Sequence, residues 1–403
     1  MIRARANPLF ANQEELSFPE LRVPAGQKNL HAPPSDFASQ LGAIQWDFPE
    51  RVAHSDIEGL HPYPAKFVTE LPRALLSVLP VPRGTAVLDP FCGSGTTLVE
   101  CQRRGVVSFG IDLNPIACLI TRVKTAPVPV DLEDSINAVL RSALTTRTPV
   151  IPDIPNLDHW FMPQVQEPLA RLTSAIVHAP KPHRDILRLA LSSIIVRVSN
   201  QDSDTRYAAV RKNVTAKDVF SSFLRAAQRI NHALNERGYA LSPANVMEAD
   251  TLAVDATLIR QPISLVITSP PYPNAYEYWL YHKYRMWWLG FDPLAVKERE
   301  IGARAHFFKT NHHTDADFTR QMAATFHLLQ AVMVKGGFAC FVVGRSRIHG
   351  KIVDNARVIE ETGRAAGFVR EFSRERVLSP NRKSFNLSHA NIKTETVLVL
   401  RYR

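Results

Sequence analysis

The chain has 403 residues, 45% apolar and 21% charged, which suits one large soluble domain with an insertion or two domains, and argues against disorder. Basic residues exceed acidic ones, giving a net charge of +10, so an anionic partner is expected and nucleic acid is the commonest. Four cysteines without a CxxC pair argue against a disulfide framework or a zinc site, no apolar run reaches membrane-spanning length, and residues 1–25 lack a signal-peptide core. No metal and no membrane contact are therefore expected, and the expected compartment is the cytoplasm.

In chain order, residues 1–55 are polar and proline-punctuated, and read as an arm. HPYPAKF (61–67) leads into an amphipathic helix near 68–79. TAVLDPF (85–91) reads as a buried strand, CGSGTT as a turn, LVECQRRG as a short helix, SFGIDL (108–113) as a second strand and NPIACLITRVKT as a second helix. That alternation predicts a parallel, doubly wound α/β sheet. Residues 130–240 are dominated by helical periods, broken by a polar, basic loop at 198–214. Strand rhythm returns at 244–252, 264–272, 336–344, 368–377 and 395–403, bringing the count to seven. The expected organisation is thus an arm (1–55), a catalytic domain of 56–129 plus 241–403, and a helical insertion at 130–240 that could recognise the partner.

Gly93 and Gly95 stand between a strand and a helix, where the chain must turn tightly and a ligand can approach free N–H groups. The dinucleotide fingerprint calls for Gly or Ala at position 98, which is Leu, and this counts against a bound pyrophosphate. Asp112 ends the next strand, where a carboxylate can accept from ribose hydroxyls. A nucleoside without a diphosphate fits, and S-adenosylmethionine is one.

LDPFCGSGTT, GIDLNPIA and TSPPY (268–272) together resemble the exocyclic-amino DNA methyltransferases, over roughly residues 60–125 and 244–403. The serine form Ser269-Pro270-Pro271-Tyr272 resembles the N4-cytosine branch, and HPYPAKF resembles the upstream cofactor segment. The resemblance implies a mostly parallel, seven-stranded, Rossmann-like methyltransferase sheet with a helical insertion. It also implies S-adenosylmethionine as cofactor, double-stranded DNA as partner, and a cognate restriction endonuclease as a possible second partner. Carried over by position, Asp89, Phe91, Gly93 and Gly95 line the methionine side, Asp112 takes the ribose, Leu113 packs on adenine and Asp250 faces its amine. Lys66 and Phe67 close the pocket, and Tyr63, Cys92, Ser94, Thr96, Thr97 and Asn114 complete the cofactor set. The cofactor motifs precede the catalytic one with a long insertion between, whereas many serine-type members run the other way.

The tetrapeptide has a chemical reason. Cytosine N4 is a poor nucleophile because its lone pair is delocalised into the ring. Acceptors aimed at its hydrogens favour the pyramidal amine of the transition state over the planar ground state. The Ser269 hydroxyl and the Pro270 carbonyl are such acceptors, consecutive prolines fix the backbone direction, and Tyr272 offers a face for a flipped base. The later aromatics (Tyr278, Trp279, Tyr281, Tyr284, Trp287, Trp288) mostly have helical spacing and are expected mainly in the core, while Tyr276 and Tyr278, nearest the catalytic tip, could line the target pocket. Basic segments are the expected DNA readers: Arg206, Arg211 and Lys212 in the 198–214 loop, and Arg374, Arg376, Arg382 and Lys383 in 374–393. Three other functions stay open: the same chemistry on adenine N6, methylation of RNA, and a non-catalytic DNA-binding module, which would be expected to carry a damaged glycine loop or tetrapeptide.

Overall fold

The computed structural model describes residues 36–48, 56–204, 206–273, 276–308, 312–378 and 394–403. Seven strands form one sheet in the order β3-β2-β1-β4-β5-β9-β8. They are β1 (Ala86–Asp89), β2 (Ser108–Asp112), β3 (Ala244–Glu248), β4 (Ile263–Thr268), β5 (Met333–Gly344), β8 (Phe368–Val377) and β9 (Thr394–Tyr402). The first five are parallel, and β9 runs antiparallel between β5 and β8. The seven-strand, mostly parallel expectation holds. Two short strands, β6 (Ser346–Ile348) and β7 (Lys351–Val353), were not anticipated and form a separate hairpin.

Central strands of a sheet covered on both faces read as unbroken apolar runs, and β1 and β4 are buried throughout. Ile263 and Val266 pack on one face with Phe318, Phe326 and Ile359, which belong to α12 (Asp315–Val332) and α13 (Asn355–Ala365). Leu265 and Ile267 point the other way, onto Leu71, Leu75 and Cys101. Those come from α2 (Glu70–Val78) and α3 (Thr96–Arg103). Part of the predicted arm joins this second layer. The short α1 (Phe37–Gly42), capped by Asp36, buries Leu41, and Trp46 follows it into the same cluster. Two anchors within a polar stretch carry no periodicity, so the sequence reads as an arm.

Helices α5 (Leu132–Thr145), α6 (Leu157–Trp160), α7 (Pro163–Val177), α8 (Lys181–Val198) and α9 (Ala216–Asn235) occupy the region read as an insertion. Their core is continuous with α4 (Pro115–Thr125) and with the aromatic α10 (Tyr278–Trp288), through Ile116, Leu191, Phe223 and Trp288. Trp279, Tyr284 and Trp288 are buried in it, as their spacing suggests. Among the described residues, no helix is long and apolar enough to cross a membrane.

Candidate active site

Chain direction reverses across the sheet between β1 and β4: from β1 the chain moves to β2 and β3, and from β4 to β5. Ligands bind at such switch points, outside the carboxyl ends of the strands. Because β1 and β4 are paired, Leu88 against Val266, the loops that follow them are neighbours. Those loops are the glycine turn and the Ser269-Pro270-Pro271-Tyr272 tetrapeptide, which the sequence separates by about 170 residues.

The glycine turn is held from three directions. Gly95 donates to the Cys92 carbonyl at 2.8 Å and caps α3 with φ +80, a left-handed conformation suited to glycine. A Cβ at Gly95 would lie 2.7 Å from the Thr121 side chain. From below, α4 props the turn: the Thr121 hydroxyl donates to Gly93 O at 2.9 Å, and the buried Lys124 donates to Ser94 O at 2.9 Å. Burial lowers the Lys124 ammonium to about 7. From β2, the Asp112 carboxylate accepts from Gly93 N and Asn114 N, each at 2.8 Å. Asn114 in turn caps α4 by accepting from Ile116 N.

One cavity of about 840 Å³, counting the space at its open mouth, runs between the two loops. Tyr63, Phe67, Asp89, Phe91, Cys92, Gly93, Ser94 and Thr96 line one side, with Asp112, Leu113, Asn114 and Asp250. Ser269 and Pro271 line the other. Burial is the main cause that raises both Asp89 and Asp112 to about 6. It also holds the Cys92 thiol well above its usual range, so that group stays protonated. Ser269 Oγ donates its proton to Val342 O on β5 at 2.9 Å, which leaves its lone pairs as acceptors.

Five sequence candidates lie outside the lining. Lys66 turns its ammonium to the carbonyls of Glu58 (2.8 Å) and His61 (3.0 Å), bracing the segment that carries Tyr63 and Phe67. Thr97 is buried beneath the loop with its hydroxyl toward Ile267 O, and Gly95 acts through the turn. Pro270 is buried and Tyr272 is partly buried in the core on the α12 side of the sheet, with its side chain hydrogen-bonded by the Gly344 backbone. The predicted strand 264–272 stops at Thr268, because Pro270 and Pro271 cannot continue the ladder.

The lining also holds Tyr278, one of the two tyrosines that the sequence offers to a target pocket, and groups with no such signal: Thr251, Val296, Arg299, Glu300 and Ile301. Glu300 is buried and accepts from Tyr278 N at 2.8 Å and Trp279 N at 2.7 Å, tying the segment after α11 (Pro293–Arg299) to the start of α10. Burial raises its carboxyl to about 8 against those two amides. The only sequence signal is a charged KEREIG run ending in glycine. Gly302 has φ +72, and a Cβ there would meet Tyr272 O at 2.5 Å, so the run lies directly against the tetrapeptide.

The candidate DNA readers divide. Arg206 is 75% exposed and lies 3.7 Å from Asp202, and Arg211 and Arg374 are exposed. Lys212 is corrected: its ammonium donates to Val196 O and Gln201 O and fastens its own loop. Arg376 is corrected too, since it lies in β8, fully buried, with Glu395 3.5 Å away, and presents no cation to a duplex. Tyr276 is half-buried beside Tyr278, with ring centroids 5.9 Å apart. Arg382 and Lys383 lie outside the described residues.

Comparison with known proteins finds similarity to DNA methylases over part of the chain. Residues 24–122 match the family model described as DNA methylase. The chain is 45% identical over 97 residues to the Type II methyltransferase M.MjaII of Methanocaldococcus jannaschii, covering 22% of this chain and 18% of that protein. It is 25% identical over 240 residues to M.MvaI of Kocuria varians, covering 53% of each chain. It is 23% identical over 272 residues to M.BsoBI of Geobacillus stearothermophilus, covering 59% of this chain and 53% of that one. The chain thus spans about half the length, or less, of the curated relatives it matches. S-adenosylmethionine is the methyl donor this family implies, and the cavity fits it. A ring of aromatic and apolar walls (Tyr63, Phe67, Phe91, Leu113) surrounds carboxylates at the ends of β1 and β2, and the glycine turn leaves no side chain at Gly93. The matched segment carries the glycine turn and Asp112, the fold supplies the switch point, and over residues 24–122 the chain is similar to the DNA methylase family.

Proposed function

We propose that the chain transfers a methyl group from S-adenosylmethionine to the N4 amine of cytosine in double-stranded DNA, with the target base flipped out of the helix. The observation that carries this reading is the shared cavity: Asp112 and the glycine turn face Ser269 and Pro271 across one space. The bound cofactor supplies an activated methyl on a sulfonium. The remaining work belongs to the chain. Ser269 Oγ, its proton committed to Val342 O, accepts from the amine, and the Pro270 carbonyl is the second acceptor. Asp112 accepts from the ribose hydroxyls, and Leu113 packs on the adenine. Tyr63 and Tyr278, with ring centroids 5.7 Å apart, wall the space from water. The DNA methylase description of the matching family model supports DNA as substrate, and a restriction endonuclease acting on the same site is the proposed partner. Arg206, Arg211 and Arg374 are the proposed phosphate and base contacts. Sequencing the methylated bases in DNA from cells expressing the chain tests the reading. Modified cytosines in one sequence context support it, modified adenines move the same acceptors to N6, and unmodified DNA contradicts it.

Asp112→Ala is expected to weaken S-adenosylmethionine binding by about 1.5–3 kcal/mol, the scale of hydrogen bonds to a charged group. Isothermal titration checks this, and unchanged affinity would place the nucleoside elsewhere.

Cofactor affinity is also expected to fall as pH is lowered through about 6, where Asp112 and Asp89 take up protons and the ribose loses its ionised acceptor. The stability of the ligand-free chain has the opposite sign. Both carboxyls are raised above their unfolded value of 3.8, so the folded state holds their protons longer. Their contribution to stability is therefore lost as pH rises from 3.8 to about 6. Titrations across this range, beside denaturant melts, show whether the two trends oppose.

A further inference from the structure

The unanticipated hairpin β6–β7 stands outside the main sheet at its carboxyl edge. It follows β5 directly, and its pairs are Ser346 with Val353, Arg347 with Ile352, and Ile348 with Lys351. The turn is His349 (φ +46) and Gly350 (φ +83), the two successive left-handed residues that a tight hairpin of matching twist requires. Alternation sorts the faces. Ser346 and Ile348 are buried, whereas Arg347 is exposed and Ile352, directly opposite it, is 68% exposed. Residues 344–353 contain Arg345, Arg347 and Lys351 and no carboxylate. Arg345 pairs with Glu375 at 3.1 Å; Arg347 is exposed opposite Ile352, and Lys351 is exposed next to the turn, opposite Ile348.

The base of this hairpin is joined to the candidate site. Asn355 Nδ2 donates to Gly344 O and Ser346 Oγ, each at 2.7 Å. The Gly344 backbone also hydrogen-bonds the Tyr272 side chain, and two residues earlier Val342 O takes the Ser269 proton. At the tip, the rings of His349 and His312 are 4.4 Å apart. A two-stranded ribbon with Arg347 and the apolar Ile352 on one face and Lys351 exposed on the other, rooted beside the tetrapeptide, matches a duplex groove. Its phosphates meet arginine and lysine, and apolar side chains press on sugars or between base steps.

We propose that the 346–353 hairpin is a DNA-contacting arm, with Arg347 and Lys351 on phosphates and Ile352 against the duplex beside the extruded base. This rests on the DNA reading above, and the test separates the two. The probe is a labelled random-sequence duplex pool, titrated across a salt series against wild type, Arg347→Ala, Lys351→Ala and Ile352→Ser. Methyl transfer to unmethylated plasmid DNA and cofactor titration run alongside. Each cation variant is expected to bind more weakly with a salt slope lower by about one. Ile352→Ser is expected to lose up to about tenfold in affinity with the slope unchanged. Cofactor affinity stays at the wild-type value in all three, since none of these residues lines the cavity. If wild type binds and methylates DNA while the three variants match it in affinity and slope, the hairpin assignment is overturned alone. If wild type neither binds nor methylates DNA, the function reading is overturned and the hairpin assignment with it.

Discussion

Ser269→Ala is expected to slow methyl transfer by about 10²–10³-fold, the scale of losing one preorganised hydrogen-bonding group at a reacting centre, while leaving cofactor affinity close to wild type. The hydroxyl donates to Val342 O at 2.9 Å, so its lone pairs, rather than its proton, face the cavity. Alanine removes that acceptor but leaves the β4–β5 ladder, where Thr268 pairs with Phe341. The fold and the glycine turn should therefore survive. Single-turnover transfer of a labelled methyl group, beside a cofactor titration, separates chemistry from binding. A wild-type rate would remove Ser269 from the reaction.

Gly302→Ala is expected to be the most damaging single-methyl change near the site, at roughly 3 kcal/mol of stability together with most of the turnover. Two costs add. The residue sits at φ +72, where a side chain costs about 1–2 kcal/mol. The new Cβ would also lie 2.5 Å from Tyr272 O and 2.8 Å from Tyr272 C, and no rotamer change can relieve a contact with backbone. Either the tetrapeptide moves or the 299–302 segment withdraws, and Glu300 ties that segment to the Tyr278 and Trp279 amides. Gly84→Ala is the control: it has φ +87 but nothing within 4 Å of its Cβ, so only the backbone cost of about 1–2 kcal/mol applies. Denaturant melts and methylation assays on both variants check this, and equal losses at the two positions would refute the steric account.

What the sequence reveals and conceals follows from the range of the interactions. Strands β1, β4 and β5 are legible because both their faces are covered, so they are largely apolar between turn residues. The glycine turn and the tetrapeptide are legible because their chemistry is written in consecutive residues. Glu300 is not, since it looks like one more charge in a helix-like run until α10 returns its amides to it. Lys124 and Thr121 read as an ordinary helical face; only the packing of α4 beneath the glycine turn gives them carbonyls to hold. Arg376 reads as a surface cation because its counter-charge, Glu395, arrives from another strand nineteen positions on. Lys66 lies within a cofactor-like motif, yet it spends its donors on carbonyls of its own segment. Hairpin β6–β7 has only three residues per strand, too few for alternation to stand out.

The central claim is that Ser269 and its prolines present a cytosine amine to the donor in the β1–β4 crevice. Nucleoside mass spectrometry tests it most directly, on DNA incubated with the purified chain and S-adenosylmethionine carrying a deuterated methyl group. The account predicts the deuterated methyl on N4-methylcytosine, appearing about 10²–10³-fold more slowly when Ser269→Ala replaces wild type. Label on N6-methyladenine, or no label in DNA while an RNA control takes it up, would contradict it.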